Sequence, residues 1–210
     1  MSKTIVFQGD SITDAGRDYD LKLPANKGMG IGYPFLVMVQ LRASEPEKDW
    51  QIFNRGISGH RIVDLYARWK RDALNLKPDI LSILIGVNDT WHEYPGKNGV
   101  EVPRYAQFYR MLLEWTRKEL PETKLVLMEP FVLPFGVVQP NWVPEMDARR
   151  AIVKELAGEF KAIFIPTQAI LNDALKNAPQ EYWLRDGVHP TSAGHALMAN
   201  AWIEATKAIR

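Results

Sequence analysis

Cysteine is missing from this 210-residue chain, and its absence removes several kinds of chemistry at once. Without a thiol the chain can form no disulfide framework, no thiolate metal site and no cysteine nucleophile. Its four histidines do not follow the His-Glu-x-x-His spacing of a helical zinc site. We therefore expect neither a metal nor another cofactor.

The chain also has little net charge and no long apolar run. Its formal net charge is +1 at pH 7, with both signs interspersed, so electrostatics give no reason to expect nucleic acid or an anionic membrane as a partner. The apolar run Ile5-Val6-Phe7 is too short for a signal-peptide core, and no stretch is long enough to cross a bilayer. These features predict a cytoplasmic protein.

What the sequence does contain is the composition of a soluble globular protein. Hydrophobic residues make up 46% and charged residues 24% of the chain, which is ordinary for a chain that folds on its own. A single continuous core suits an α/β chain of this length. We predict one domain over residues 1–210.

Short apolar runs alternate with segments of helical periodicity. The predicted strands are residues 3–8, 50–54, 80–85, 124–128 and 162–165, and the predicted helices are residues 33–42, 62–76, 105–120, 144–160, 170–178 and 192–209. Five such alternations need crossover connections and favour a parallel sheet between helices. The expected fold is a flavodoxin-like three-layer α/β/α arrangement with a five-stranded parallel sheet.

Two of the long connections between these elements carry further signals. The glycine-rich residues 14–32 are predicted to form a flexible loop that crosses the mouth of the site. Residues 131–143 carry several apolar side chains that look exposed, including Trp142. Exposed apolar patches often mark interfaces, so this segment is interpreted as a lid or a subunit contact, and self-association to a homo-oligomer is expected.

The first predicted strand leads directly into Gly9-Asp10-Ser11-Ile12-Thr13. Ser11 thus follows the carboxyl end of a strand, where open α/β sheets bind their ligands. A serine hydroxyl needs a base to become a nucleophile at neutral pH. Asp186 and His189, three positions apart before the last predicted helix, can supply an imidazole oriented by a carboxylate. We predict the catalytic residues to be Ser11, Asp186 and His189.

Ester hydrolysis by a serine also needs donors for the oxyanion. Gly59 follows the second predicted strand and can offer an unobstructed backbone N–H, and Asn88 follows the third and can offer its side-chain amide. The backbone N–H of Ser11, at a turn that leads into a helix, is the third candidate. Each residue alone is as readily explained as a turn or capping residue, and only their joint placement favours an oxyanion hole.

These segments, in chain order, resemble the four sequence blocks of the SGNH (GDSL-like) hydrolase superfamily. The segments are Gly9-Asp10-Ser11-Ile12-Thr13, Ile57-Ser58-Gly59, Gly86-Val87-Asn88-Asp89, and Asp186 with His189. The resemblance spans nearly the whole chain. It implies a metal-free Ser-Asp-His esterase whose oxyanion hole combines the Ser11 and Gly59 N–H groups with the Asn88 amide.

A narrower resemblance is to the intracellular bacterial acetylxylan esterases of this superfamily, which remove acetyl groups from xylo-oligosaccharides. It rests on Asn54-Arg55-Gly56-Ile57-Ser58-Gly59, Ala67-Arg68-Trp69 and Gly86-Val87-Asn88-Asp89-Thr90-Trp91, together with Gly9 to Asp14. The sequence departs from the pattern of these esterases at His60-Arg61 and in residues 131–143. The resemblance implies a small acetylated carbohydrate as the substrate.

Other residues near these blocks are candidates for substrate contacts. Trp91 is expected to border the pocket, Tyr94 either borders it or packs in the core, and Asp10 is a further predicted substrate contact. Asp14 is expected to be a buried partner of a basic group or a backbone amide instead of a second catalytic acid.

The remaining histidines are given structural or peripheral positions. His60 and His92 lack a carboxylate placed as Asp186 is to His189, so both are expected at the rim of the site. His195 lies within the last predicted helix, where a packing or hydrogen-bonding role is the ordinary one.

Three functions compete at this point. The first is a carbohydrate O-acetylesterase, and the second is a lysophospholipase or thioesterase that uses the same residues on longer acyl chains. The apolar residues in 131–143 support the second. The third is a non-catalytic module that binds a carbohydrate or nucleotide, against which the complete set of Ser11, Asp186 and His189 argues.

Overall fold

The computed structural model describes residues 2–210 and contains five parallel strands in one sheet. The strands are β1 (Lys3–Gly9), β2 (Trp50–Asn54), β3 (Ile80–Leu84), β4 (Lys124–Met128) and β5 (Ile163–Ile165). Their spatial order is β2-β1-β3-β4-β5, which is the flavodoxin-like order. The expected fold class is confirmed.

Helices cover both faces of the sheet. They are α1 (Ser11–Asp14), α2 (Tyr33–Ser44), α3 (Ile62–Asp72), α4 (Val87–Trp91), α5 (Glu93–Gly96), α6 (Val102–Glu119), α7 (Trp142–Glu159), α8 (Thr167–Ala174), α9 (Gln180–Trp183) and α10 (Ser192–Ala205), with short 3₁₀ turns at Pro46–Lys48 and Leu74–Leu76. The six predicted helices correspond to α2, α3, α6, α7, α8 and α10. The other four have only four or five residues each.

The alternating direction of side chains along β1 explains the three layers. Ile5 and Phe7 pack into a core with α2 and α10, whereas Val6 between them packs into a second core with α3 and α6. Successive side chains of a strand point to opposite faces, so a strand buried on both sides is apolar throughout. The nearly unbroken apolar run of β3 follows from the same geometry.

The connection 131–143 differs from the expectation. Phe131, Leu133 and Trp142 are buried and belong to the core on the α2–α10 side of the sheet, and only Val137 among its large apolar side chains is exposed. The prediction that this segment presents an apolar surface is therefore wrong. Its apolar residues look unpatterned because an irregular backbone points them inward without a helical or strand period.

The last part of the loop after α1 is hydrogen-bonded to the end of α1 and to the end of β2, whereas the sequence predicts a flexible loop. The Ile31 N–H donates to Ala15 O, and the Asn54 amide donates to Met29 O. Gly30 has a φ of +72°, and a Cβ there would lie 2.6 Å from Asp14 O. Glycine is required because the backbone approaches α1 closely in a left-handed conformation.

No helix within residues 2–210 is long and apolar enough to span a bilayer.

Candidate active site

The nucleophile candidate lies at the start of α1. Asp10 caps this helix, because its Oδ1 accepts the Ile12 N–H at 3.0 Å. Ser11 is the first helical residue and follows directly on the carboxyl end of β1. The turn places the Ser11 hydroxyl in a half-buried position at the edge of the sheet where the parallel strands end.

His189 meets Ser11 from the other end of the chain. Its Nε2 lies 2.9 Å from Ser11 Oγ, and its Nδ1 lies 2.7 Å from Asp186 Oδ2. An imidazole whose Nδ1–H donates to a carboxylate presents the lone pair of Nε2 to the serine hydroxyl. The three predicted catalytic residues therefore form one continuous hydrogen-bonded chain.

The Asp186 carboxylate is also held by the backbone. Its Oδ1 accepts the N–H groups of Val188 and His189 at 3.0 and 2.8 Å. Partial burial raises the pKa of the Asp186 carboxyl, but the hydrogen bonds from His189 and Val188 outweigh it, so the pKa lies below its ordinary value. The carboxylate stays ionised and can stabilise a protonated His189.

The predicted oxyanion donors converge on the same edge of the sheet. Asn88, in the first turn of α4, donates one amide hydrogen to His60 O at 3.1 Å and retains a second amide hydrogen. Gly59 has a φ of +80°, which an L side chain rarely adopts. Within residues 2–210, the backbone N–H groups of Ser11 and Gly59 enter no backbone hydrogen bond.

A buried guanidinium supports this group of loops. Arg68, on α3, is 8% exposed. It donates to five acceptors, which are Gln8 Oε1, Gly9 O, Arg55 O, His60 Nδ1 and Asp72 Oδ2, at 2.8 to 3.3 Å. Because its planar fork can satisfy several acceptors at once, Arg68 joins the end of β1 to the loop after β2. It thereby positions the backbone on both sides of the oxyanion candidates.

His60 connects Arg68 to Asn88 through two hydrogen bonds. Its Nδ1 accepts from Arg68 Nε at 3.1 Å, while its carbonyl accepts from Asn88. Burial and the neighbouring Arg68 charge lower the pKa of the His60 imidazole, which keeps Nδ1 free to accept. His60 thus lies at the rim, as predicted, and also helps to orient Asn88.

Asp10 does not have the position predicted for a substrate contact. Its side chain is 1% exposed and is committed to capping α1, so the substrate-contact prediction is corrected to a capping position. Asp89, one residue beyond Asn88, is similarly buried and accepts the Ile62 N–H at the start of α3. Burial raises the pKa of both carboxyls to about 7.

Aromatic rings border the imidazole. The Trp91 ring centroid lies 5.8 Å from that of His189 and 5.4 Å from that of Trp142. Tyr94 stacks on Trp142 with an interplanar angle of 18° and remains 38% exposed. Trp91 is thus beside the reacting groups, whereas Tyr94 is one ring further away. Their contact with substrate stays a prediction.

The remaining polar side chains singled out from the sequence are Asp14, His195 and His92. Asp14 is buried and accepts the backbone N–H groups of Arg17 and Ser58, as expected for a structural carboxylate. His195 accepts the Tyr33 N–H at 3.1 Å, and burial lowers its pKa to about 4. His92 is half-buried near Gly59. Neither His60 nor His92 occupies the position of His189 beside Ser11.

Sequence reasoning finds Arg68 only within the motif Ala67-Arg68-Trp69 and does not reach its structural role. It also does not reach the position of Tyr19, whose hydroxyl donates to Asp14 Oδ2. An arginine flanked by apolar helical positions, Leu65 and Trp69, was the available signal that Arg68 faces inward. The position of Tyr19 depends on how the loop after α1 folds back, and no periodicity reports it.

The fold and this geometry define a serine hydrolase class, and comparison with known proteins assigns the family. Residues 7–197 match the GDSL-like Lipase/Acylhydrolase family. The chain belongs to this family.

Its relatives include enzymes of known activity. An acetylxylan esterase from Geobacillus stearothermophilus is 37% identical over 204 residues, which cover 95% of this chain and 91% of the relative. The crystal structure of Axe2, an acetylxylan esterase from Geobacillus stearothermophilus, superposes with a TM-score of 0.86 at 34% identity, covering 97% of this chain and 93% of that one. Further structures of Axe2 are described as catalytic mutants in which a serine, an aspartate or a histidine is replaced by alanine.

A second solved relative is a GDSL-like lipase from Parabacteroides merdae. It superposes with a TM-score of 0.93 at 43% identity and covers 100% of this chain and 98% of that one. Family and relatives agree on the reaction type, so the chain is a carboxylic ester hydrolase of the SGNH superfamily.

Proposed function

We propose that this esterase removes O-acetyl groups from carbohydrates, acetylated xylo-oligosaccharides or similar sugars, through an acyl-enzyme on Ser11. The observation that carries the mechanism is the chain of two hydrogen bonds, 2.9 and 2.7 Å long, from Ser11 through His189 to Asp186. The choice of substrate is supported by the 37% identity to an acetylxylan esterase over 95% of this chain.

Acylation uses the groups already described. His189 Nε2 takes the hydroxyl proton as Ser11 Oγ bonds to the ester carbonyl carbon, and Asp186 stabilises the imidazolium. The carbonyl π electrons move to the oxygen, which the N–H groups of Ser11, Gly59 and Asn88 bind. When these electrons return, the bond between the acyl carbon and the sugar oxygen breaks, and that oxygen takes the proton from His189.

Deacylation repeats the sequence with water. His189 removes a proton from the water as its oxygen attacks the acetyl carbon, and the same donors hold the second oxyanion. Collapse breaks the bond to Ser11 Oγ, which recovers its proton from His189. Acetate leaves, and the enzyme returns to its starting state.

The structure gives less support to the longer acyl substrate. That alternative depended on exposed apolar side chains in 131–143, but Phe131, Leu133 and Trp142 are buried in the core. They therefore provide no apolar surface for an acyl chain. We accordingly propose one substrate class only.

The remaining expectations concern context and stay predictions from the sequence. They are a single domain over residues 1–210, a cytoplasmic location, a small-molecule substrate with no nucleic-acid or membrane partner, and self-association.

Acetate release and acyl-chain preference test the proposed substrate directly. We expect wild type to release acetate from acetylated xylo-oligosaccharides, and to favour p-nitrophenyl acetate over the octanoate by at least roughly 10-fold in kcat/KM, since each added methylene must fit the acyl site. Ser11→Ala should remove nearly all turnover with the fold intact by circular dichroism. A preference for octanoate, or no acetate release from any acetylated sugar, would contradict the proposal.

A further inference from the structure

An aromatic ring beside the oxyanion loop is not used by the chemistry described so far. Tyr19, in the loop after α1, is 53% exposed, although two side chains that contact it, Asp14 and Arg17, are buried. Neither the hydrolytic mechanism nor the core accounts for the open part of this ring.

The ring is fixed at its hydroxyl end. The Tyr19 hydroxyl donates to Asp14 Oδ2, and the same oxygen accepts the Ser58 N–H at 2.9 Å. Ser58 precedes Gly59, whose N–H is a candidate oxyanion donor. Asp14 in turn is the last residue of α1, three residues and roughly 5 Å of helix from Ser11. Tyr19 is therefore connected through Asp14 to the loop that carries Gly59.

The ring is also fixed at one face. The Arg17 guanidinium carbon lies 4.4 Å from the centroid of the Tyr19 ring. Arg17 itself is buried, and its Nε donates to Gly56 O. A guanidinium held in this way covers one face of the aromatic ring, and the exposed fraction of Tyr19 belongs to the remainder. The ring is thus held in place before any substrate arrives.

We infer that Tyr19 is a stacking platform for a sugar ring of the substrate, and so a specificity residue on the leaving-group side of the site. A preorganised aromatic ring presents apolar area without the entropic cost of ordering a mobile side chain. A pyranose ring offers a matching face of C–H groups, while the exposed Ser58 beside it can meet sugar hydroxyls. The inference rests on the proposed carbohydrate substrate and adds where that sugar binds.

The test separates sugar binding from ester chemistry. Steady-state rates of wild type, Tyr19→Ala and Tyr19→Phe are measured on an acetylated xylo-oligosaccharide and on p-nitrophenyl acetate, which has no sugar ring. We expect Tyr19→Ala to raise KM for the oligosaccharide roughly 2- to 10-fold, the range of one aromatic stacking contact. Its kcat on the oligosaccharide, and its kcat/KM on p-nitrophenyl acetate, should stay within about twofold of wild type.

Two further variants test whether loss of the aromatic ring itself causes the rise in KM. Tyr19→Phe keeps the ring and its contact with Arg17 but loses the hydroxyl anchor on Asp14, so its KM for the oligosaccharide should lie between those of wild type and Tyr19→Ala. Tyr182→Ala removes a similarly exposed tyrosine on α9 and should leave both substrates unaffected. A Tyr19→Phe variant as impaired as Tyr19→Ala would show that the hydroxyl acts instead of the ring, and would overturn the inference.

Failure of this inference can be told from failure of the proposed function. If wild type deacetylates the oligosaccharide and Tyr19→Ala does so with an unchanged KM, stacking is wrong and the substrate class stands. If Tyr19→Ala loses activity equally on both substrates, Tyr19 supports the oxyanion loop and is not a platform. If wild type hydrolyses p-nitrophenyl acetate but no acetylated sugar, both are overturned.

Discussion

At the scale of single residues, hydrogen bonds decide which side chains are prepared for chemistry. Asn88 is held by the His60 carbonyl through one of its two amide hydrogens. An amide that is already oriented loses little freedom when its second hydrogen meets a developing negative charge, and such preorganised donors are among the largest contributions to catalysis. Asn88 is accordingly the residue whose removal should affect the transition state most selectively.

Asn88→Ala is predicted to lower kcat by roughly 10² to 10³, the usual cost of one lost oxyanion donor. KM should change little, because the donor binds the oxyanion more strongly than the ground-state carbonyl. Steady-state kinetics on p-nitrophenyl acetate give both values. Asn177→Ala, at an exposed position after α8, is the matched control. An effect of Asn88→Ala on KM alone would show that its assigned role is wrong.

The catalytic residues could be predicted from the sequence, whereas the burial of Asp10 could not, for a physical reason. Ser11, Asp186 and His189 could be predicted because their residue types and positions relative to strands match one chemistry. The burial of Asp10 could not, because its carboxylate could equally have capped α1 or faced the substrate. Only the packing around it distinguishes the two.

At the scale of elements, buried carboxylates tie helix starts to the sheet edge. Asp89, in α4, accepts the Ile62 N–H at the start of α3 at 3.0 Å, and so connects two loops of the site. Burial makes ionisation of this carboxyl unfavourable and raises the pKa of Asp89 to about 7 from an ordinary value of 3.8. In the unfolded chain the same carboxyl ionises freely.

This difference predicts a pH dependence of stability. Between pH 3.8 and about 7 the folded protein retains a proton on Asp89 that the unfolded chain releases. The stabilisation linked to that proton is fully present below pH 3.8 and is lost as the pH rises through about 7. Asp89→Asn keeps an acceptor for Ile62 without the charge. Relative to this variant, the unfolding free energy of wild type should fall as pH rises through the window, by an amount on the order of a few kcal/mol.

Urea unfolding at a series of pH values measures this difference. Asp173→Asn, which changes an exposed aspartate of α8, controls for the general effect of removing a carboxyl. If the unfolding free energies of wild type and Asp89→Asn changed in parallel between about pH 4 and pH 7, the linkage would be contradicted.

The elements themselves were predictable where their patterns were long enough. Strand β4 has the predicted bounds because a continuous aliphatic run buried on both faces has few alternatives. Helices α1, α4, α5 and α9 were missed because four or five residues cannot show a helical period. The inward packing of 131–143 was missed because irregular backbone carries no period at all.

At the scale of the whole molecule, the strand order brings distant segments together. In the order β2-β1-β3-β4-β5, strand β1 lies between β2 and β3. The chain reverses its direction of strand addition there, and open α/β sheets bind ligands at such a point. Ser11, Gly59 and Asn88 therefore follow three adjacent strands, while the last loop before α10 brings His189 to Ser11 across 178 positions of sequence.

The central claim, that folding makes Ser11 a nucleophile activated by His189, is tested most directly by labelling with a fluorophosphonate. The number and site of labels are read by intact-protein mass and peptide mapping. We predict one phosphonyl group per wild-type chain, attached to Ser11, and none on Ser11→Ala. His189→Ala should label more slowly by roughly 10² to 10⁴, the contribution of a general base. A label on another residue, or labelling of His189→Ala at the wild-type rate, would contradict the account.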